Sequence, residues 1–252
     1  KARARQVPST PRPPPTPPNP ADFPQLGILE LVGRGGMGVV YKARHRNLHR
    51  LVALKLLPLH AQATPELAER FALEARTLAS LDHANIVRVY DSGRSGSQFY
   101  LMMEYVEGTD LRRVMDGGDL APREALAIVS QICDALQYAH EKGVVHRDIK
   151  PGNILVGVDG RVRIGDFGLA KVLAARGADP GLTGSAQAMG TLHYMAPEQI
   201  ETPRSVDHRA DIYSLGVVLY ELLTGELPLG KFALPSQRIA VDVRLDEIVV
   251  KT

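Results

Sequence analysis

The sequence predicts an α+β protein of two lobes, a small antiparallel-sheet lobe carrying one helix and then a mainly helical lobe. Two observations lead there. Short runs rich in Val, Ile and Leu, separated by turn residues, fill the chain up to about Val106. After Gly108 the apolar residues change to the three-and-four spacing of helices. The resulting organisation is a Pro-rich disordered linker over 1–22, an N-lobe over 23–106 and a C-lobe over 107–252.

Leu26 to Val32, Val39 to Arg44 and Leu51 to Leu57 read as the first three strands. Thr64-Pro65-Glu66 starts a helix, with a capping hydroxyl, proline at the first helical position and then an acid. That helix runs to about Leu81 with Phe71, Glu74 and Leu78 on one face. Strands follow near Ile86 to Asp91 and Gln98 to Tyr105. Pro122 opens a helix with the stripe Leu126, Val129, Cys133, Leu136 and His140, and Gly143 stops it. Cys133 therefore reads as core rather than nucleophile. Ile154 to Val156 and Val162 to Ile164 form a hairpin about Asp159-Gly160. The helix from about Asp211 to Thr224 is apolar around most of its circumference, so it is expected to be buried on most sides.

Lys plus Arg number 30 against 28 Asp plus Glu, a net charge of +2 that argues against a nucleic-acid partner or a polybasic membrane contact. The single cysteine excludes an internal disulfide framework and suits a reducing, cytoplasmic setting. No apolar run reaches the roughly 20 residues of a membrane helix. Eight of the 18 prolines fall between Pro8 and Pro20. Each removes a backbone donor, so the run is extended polyproline II. It reads as an interdomain linker, with a docking site for an SH3-like or WW-like partner as the alternative. The chain opens on Lys1 and reads as a piece of a longer protein, which leaves a membrane anchor outside it open.

Three motifs carry chemistry. Gly33-Arg34-Gly35-Gly36-Met37-Gly38-Val39-Val40 lies between two strands, where glycines let backbone amides approach phosphate closely. A Rossmann site would need a helix next, and a Walker A loop would need Gly-Lys-Ser/Thr; neither follows. Lys55 stands in the apolar strand Val52-Ala53-Leu54-Lys55, and Glu74, on the apolar face of its helix, is a candidate partner. His146-Arg147-Asp148-Ile149-Lys150-Pro151-Gly152-Asn153, then Asp166-Phe167-Gly168, then Ala196-Pro197-Glu198 complete an ordered set.

On these residues the chain resembles a bacterial eukaryotic-like (Hanks-type) serine/threonine protein kinase from about Leu26 onward. The resemblance implies a bilobal protein-kinase-like fold and transfer of the γ-phosphoryl group of ATP to Ser/Thr hydroxyls of protein substrates. Gly33, Gly35 and Gly38 would cover the phosphates, and Lys55, aligned by Glu74, would hold the α- and β-phosphates. Asp148 would accept the substrate hydroxyl's proton or orient that hydroxyl, and Lys150 would neutralise the moving γ-phosphate. Asn153 and Asp166 would hold Mg²⁺, with Mn²⁺ able to replace it. Met103 falls at the gatekeeper position. Glu104 and Val106 would meet the adenine edge through their backbones. Asp110 would reach the ribose, and Val40, Ala53 and Leu155 would sandwich the base.

The resemblance also assigns supporting roles. Asp211 matches the buried aspartate that braces the catalytic loop, and it also suits a helix N-terminus. Phe167 belongs to the D-F-G turn, and Thr191 matches a threonine packed against the catalytic aspartate. Thr183 and Ser185 are the expected autophosphorylation sites, with Arg147 supplying the charge that pairs a phosphate. Gly152 replaces a glutamate used by basophilic kinases, so a preference for basic substrates is unsupported. The chain stops inside a helix, Leu245 to Val250, before the family's last helices. Glu198 is then expected to lack its arginine, with no downstream candidate, and the C-lobe to be less stable than a complete one. A pseudokinase-type nucleotide-binding scaffold is the alternative function. Its usual mark is loss of the strand lysine or of the H-R-D or D-F-G aspartate, and all three residues are present.

Overall fold

The computed structural model describes residues 17–35, 38–58, 64–96, 98–118, 120–167, 192–203 and 205–251. In the N-lobe, β1 (Leu26–Gly35), β2 (Gly38–His45), β3 (Arg50–Pro58), β4 (Val89–Ser95) and β5 (Gln98–Glu104) form one antiparallel sheet. Its strand order is β1-β2-β3-β5-β4. The period of two decides which face each residue serves. On β3, Val52, Leu54 and Leu56 turn to an outer cluster with Phe23, Tyr41 and Met102, whereas Ala53 and Leu57 turn to an inner one. Lys55 shares the parity of Ala53 and Leu57, so the alternation carries it inward, where it is only 4% exposed.

Helix α1 (Pro65–Ala79) covers the inner face. The Leu67 amide donates to the Thr64 hydroxyl at 3.4 Å, satisfying one of the free donors of the first turn. The Phe71 ring stacks on Phe99 of β5 with centroids 4.3 Å apart. Burying two such rings contributes roughly 1.5–3 kcal/mol each. The outer face is closed by Phe23, edge-on to Tyr100. The end of the expected linker, Pro20–Asp22, lies against β1. Pro18 is buried, and Pro20–Asp22 forms a 3-10 turn capped by the Asn19 side chain.

The C-lobe contains β6 (Gly108–Asp110), α2 (Leu111–Asp116), α3 (Pro122–Glu141), β7 (Ile154–Gly157) and β8 (Val162–Ile164). It continues with α4 (Pro197–Glu201), α5 (Arg209–Thr224), α6 (Pro235–Arg238) and α7 (Arg244–Lys251). β6, β7 and β8 pair in that order as a second small sheet. Every residue of α5 from Ser214 to Leu223 is buried, and Gly225 ends the helix in the left-handed conformation. α3 packs against α5. Its buried face is Ala125, Ile132, Ala135, Leu136 and Ala139, so Leu126 and Cys133 are exposed rather than core. Alanines carry this face because a small side chain lets helices approach closely, and the stripe is rotated from the one the larger residues suggest.

One apolar cluster crosses the cleft, from Phe71 and Phe99 through Phe167 to Leu215 and Leu223. Among the described residues no helix is long and apolar enough to cross a membrane. The α+β class and the division into a sheet lobe and a helical lobe agree with the sequence reading.

Candidate active site

The site forms where the segment between α3 and β7 meets the end of β8. The α3–β7 segment is held from below by Asp211, which is fully buried in the first turn of α5. Its Oδ1 accepts the Arg147 amide at 2.7 Å and its Oδ2 accepts the His146 amide at 2.8 Å. His140, at the end of α3, places Nε2 2.8 Å from the same Oδ2. Three polar groups thus converge on one buried carboxylate, which is how such a charge is tolerated. Arg147 adopts φ +67, a left-handed backbone that an L-residue keeps only under constraint.

His146 ties this loop to the other side of the site. Its Nδ1 accepts the Asp148 amide at 3.2 Å, so Nε2 carries the proton and donates to the Gly165 carbonyl at 2.8 Å. The imidazole also packs against Phe167, with centroids 4.5 Å apart. Gly165 is followed by Asp166, which adopts φ +60. Arg147 and Asp166, both at positive φ, therefore sit on opposite sides of one histidine.

Above that frame the functional side chains meet. Asp148 is 7% exposed, and its Oδ2 accepts from Lys150 Nζ and from Asn153 Nδ2, each at 2.9 Å. Asn153 Nδ2 also donates to the Asp148 carbonyl at 2.7 Å, so its amide oxygen is the atom left for another partner. Lys55 Nζ reaches Asp166 Oδ2 at 2.7 Å. Burial pushes the Asp166 carboxyl up, but Lys55, then His146 and Lys150, outweigh burial and hold it below the ordinary carboxylate range. Glu74, the partner expected for Lys55, lies half-buried on α1 between buried Phe71 and Leu78. The ion pair found at Lys55 Nζ goes to Asp166 instead.

The sequence matches the protein kinase domain family over residues 26–245. The chain belongs to that family. Serine/threonine-protein kinase PknB of Mycolicibacterium smegmatis is 43% identical over 218 residues, covering 84% of this chain and 34% of the relative. Serine/threonine-protein kinase PrkC of Bacillus subtilis is 43% identical over 202 residues, covering 80% of this chain and 30% of the relative. The chain thus spans about a third of the length of the curated relatives it matches. The crystal structure of the Mycobacterium tuberculosis PknI kinase domain aligns at 30% identity with a TM-score of 0.70. That alignment covers 89% of this chain and 85% of the other.

The remaining expected positions of the kinase domain fall around the cleft. Gly33 and Gly35 lie in the β1–β2 hairpin, and a Cβ at either would meet nothing within 4 Å. Packing therefore does not demand glycine there, whereas close approach of a phosphate would. Gly38, at φ +128, is required by the fold, because a Cβ would overlap the Leu56 carbonyl oxygen. Ala53 belongs to the inner apolar cluster, and half-buried Val40, Val106 and Leu155 pack against it. Asp110 caps α2 by accepting the Arg113 amide at 3.0 Å, a structural duty beside the one expected of it. Gly36, Met37, Gly168, Thr183, Ser185 and Thr191 lie outside the described residues.

Some partners differ from expectation or were missed. Arg147 turns its guanidinium to the Val206 carbonyl at 3.1 Å. Arg209 pairs with Asp207 at 3.0 Å and feels Glu198 only as a weaker neighbouring charge. Gln199 joins α4 to the segment between α3 and β7, donating to the Arg147 carbonyl at 2.8 Å while accepting the Ala196 amide at 3.0 Å. Arg112 pairs bidentately with buried Glu221 of α5, and both meet the Tyr194 hydroxyl. Burial and then Glu221 push the Tyr194 phenol up. No local motif announces the Arg147–Val206, Gln199–Arg147 and Arg112–Glu221 contacts, because each joins residues far apart in the chain.

Proposed function

We propose that this domain transfers the γ-phosphoryl group of ATP to serine or threonine hydroxyls of protein substrates. The observation that carries the reading is the convergence of Asp148, Lys150 and Asn153 on one carboxylate oxygen, beside the Lys55–Asp166 pair. In this reading the Asp148 carboxylate receives the proton of the attacking hydroxyl. The hydroxyl oxygen bonds to the γ-phosphorus, the bond to the β–γ bridging oxygen breaks, and ADP leaves. Lys150 offsets charge on the moving phosphoryl group, and Lys55 positions the phosphates.

Asp166 and the Asn153 amide oxygen suit a hard divalent cation, which binds oxygen donors. Among the described residues no group of three or more His, Cys, Asp or Glu could hold a metal alone. The set fits Mg²⁺, which takes one or two protein ligands and shares phosphate oxygens. When bound, the ion neutralises phosphate charge. The names of the relatives, and Lys150 two residues after Asp148, support a Ser/Thr acceptor. Autophosphorylation at Thr183 or Ser185 and a cytoplasmic site of action belong to the same proposal; Pro8 to Pro20 is read as an interdomain linker, with docking of an SH3-like or WW-like partner as the alternative.

Phosphotransfer to a generic protein, measured beside nucleotide binding, tests it. Asp148→Asn should lose about a hundredfold or more in turnover while ATP with Mg²⁺ still binds. Asp166→Asn should lose turnover and the Mg²⁺-dependent part of binding. Near-normal turnover in Asp148→Asn would remove the assignment.

A further inference from the structure

We propose that Arg163 is a positioning residue for the nucleotide base, acting through the hinge residue Glu104. The inference rests on the kinase reading above and on Glu104 and Val106 as the adenine-binding edge. Arg163 lies on β8 directly opposite Leu155 of β7. Cross-strand partners share a sheet face. Its side chain therefore leaves the sheet on the side of the residue expected to floor the base. There Nε lies 3.2 Å from Glu104 Oε1, while Nη2 and Nη1 lie 3.1 and 3.4 Å from Asp159 Oδ2 and Oδ1. The side chain is only 14% exposed.

The hinge end of this contact is fixed as well. The Glu104 amide donates to the Arg88 carbonyl at 2.8 Å, and the Arg88 amide reaches Glu104 Oε2 at 3.5 Å. One guanidinium thus joins the last residue of the N-lobe sheet to the β7–β8 hairpin of the C-lobe. Those two elements supply the edge and the floor of the base pocket. A planar fork can serve two carboxylates at once, which a single ammonium does less well. The Arg163–Glu104 pair is half-buried and so is less screened by salt than a surface one, whereas Asp159 is exposed. The contacts of Arg163 go to Glu104 and Asp159, not to Asp148, Lys150 or Asn153. Its effect should therefore fall on base affinity and not on the transfer step.

The test compares Arg163→Ala, Arg163→Lys and Asp159→Asn in the whole chain. Steady-state kinetics with ATP and Mg²⁺ are combined with titrations of adenosine and of inorganic tripolyphosphate. Arg163→Ala should raise the ATP KM about three- to tenfold and weaken adenosine to match. Its kcat should stay within about twofold, with tripolyphosphate affinity unchanged. Arg163→Lys should recover part of the loss, and Asp159→Asn should show a smaller shift in the same direction. An unchanged KM, a changed kcat at constant KM, or equal losses of adenosine and tripolyphosphate would overturn the inference. If Arg163→Ala does not fold, the other two variants carry the comparison. A wild-type chain that binds tripolyphosphate but not adenosine would refute the hinge assignment itself.

Discussion

Asp211→Asn is the substitution most telling about how the catalytic loop is built. The wild-type carboxylate accepts the amides of Arg147 and His146 at 2.7 and 2.8 Å and meets His140 at 2.8 Å. An amide has one acceptor oxygen. Whichever way the Asn is turned, at least one backbone N–H of the loop faces an NH₂ group. A hydrogen bond to a charged group contributes about 1.5–3 kcal/mol, and a stranded buried donor costs about 1–3 kcal/mol. Because these overlap, a net loss of about 2–4 kcal/mol is expected. For a domain of this size that lowers Tm by roughly 4–16 °C. Asp148 follows the two freed amides directly, so its carboxylate should shift. A misplacement near 1 Å costs about a hundredfold in rate, so kcat should fall about 10- to 100-fold. The nucleotide contacts proposed for Lys55 and the hinge are not made by this loop, and ATP affinity should change less than about threefold. Thermal unfolding, phosphotransfer kinetics and nucleotide titration read these effects separately. A variant with Tm within about 2 °C of wild type and an unchanged kcat would show that Asp211 does not hold the loop.

The Asp166 carboxyl is depressed below its ordinary value of 3.8, so the folded state binds its proton less readily than the unfolded chain. Its stabilisation should be present above the ordinary carboxylate range and disappear as pH falls through the depressed value. The Tm difference between wild type and Asp166→Asn should therefore be largest above about pH 5 and shrink toward pH 3; a constant difference would contradict this. Gly38→Ala should destabilise by a few kcal/mol, because the new methyl meets the Leu56 carbonyl at a left-handed φ. Gly33→Ala should leave Tm within a degree or two and raise only the ATP KM. A Thr183→Ala, Ser185→Ala double variant should lose autophosphorylation on intact-mass analysis and show reduced activity; full activity from the first turnover would mean that these hydroxyls are not a switch.

The sequence was legible where the chemistry is local. Asp148, Lys150 and Asn153 lie within six consecutive positions, so backbone geometry alone brings them together. The β3 alternation likewise foretells that Lys55 shares a face with Ala53. Legibility failed where the partner is remote: Gln199 with Arg147, His140 with Asp211 and Arg163 with Glu104. It failed also where small residues do the packing. Counting large apolar side chains on α3 selects Leu126 and Cys133, but the buried surface is largely alanine, and a shift of one residue turns a helix by about 100°. β6 and α2 escaped because three- and six-residue elements show no full period.

The apolar cluster that crosses the cleft should make the two lobes unfold together. Phe99 and Leu223 belong to the same continuous interior, with Phe167 between them. Calorimetry should accordingly record one endotherm rather than a staircase, because neither lobe can melt while the other keeps its interior dry. A nucleotide bound in the cleft then raises the melting point of helices it never touches, by simple mass action on a shared unfolding equilibrium. A cut at Val106 would leave both fragments with a raw apolar wall, prone to rejoin each other or to aggregate before either could fold alone.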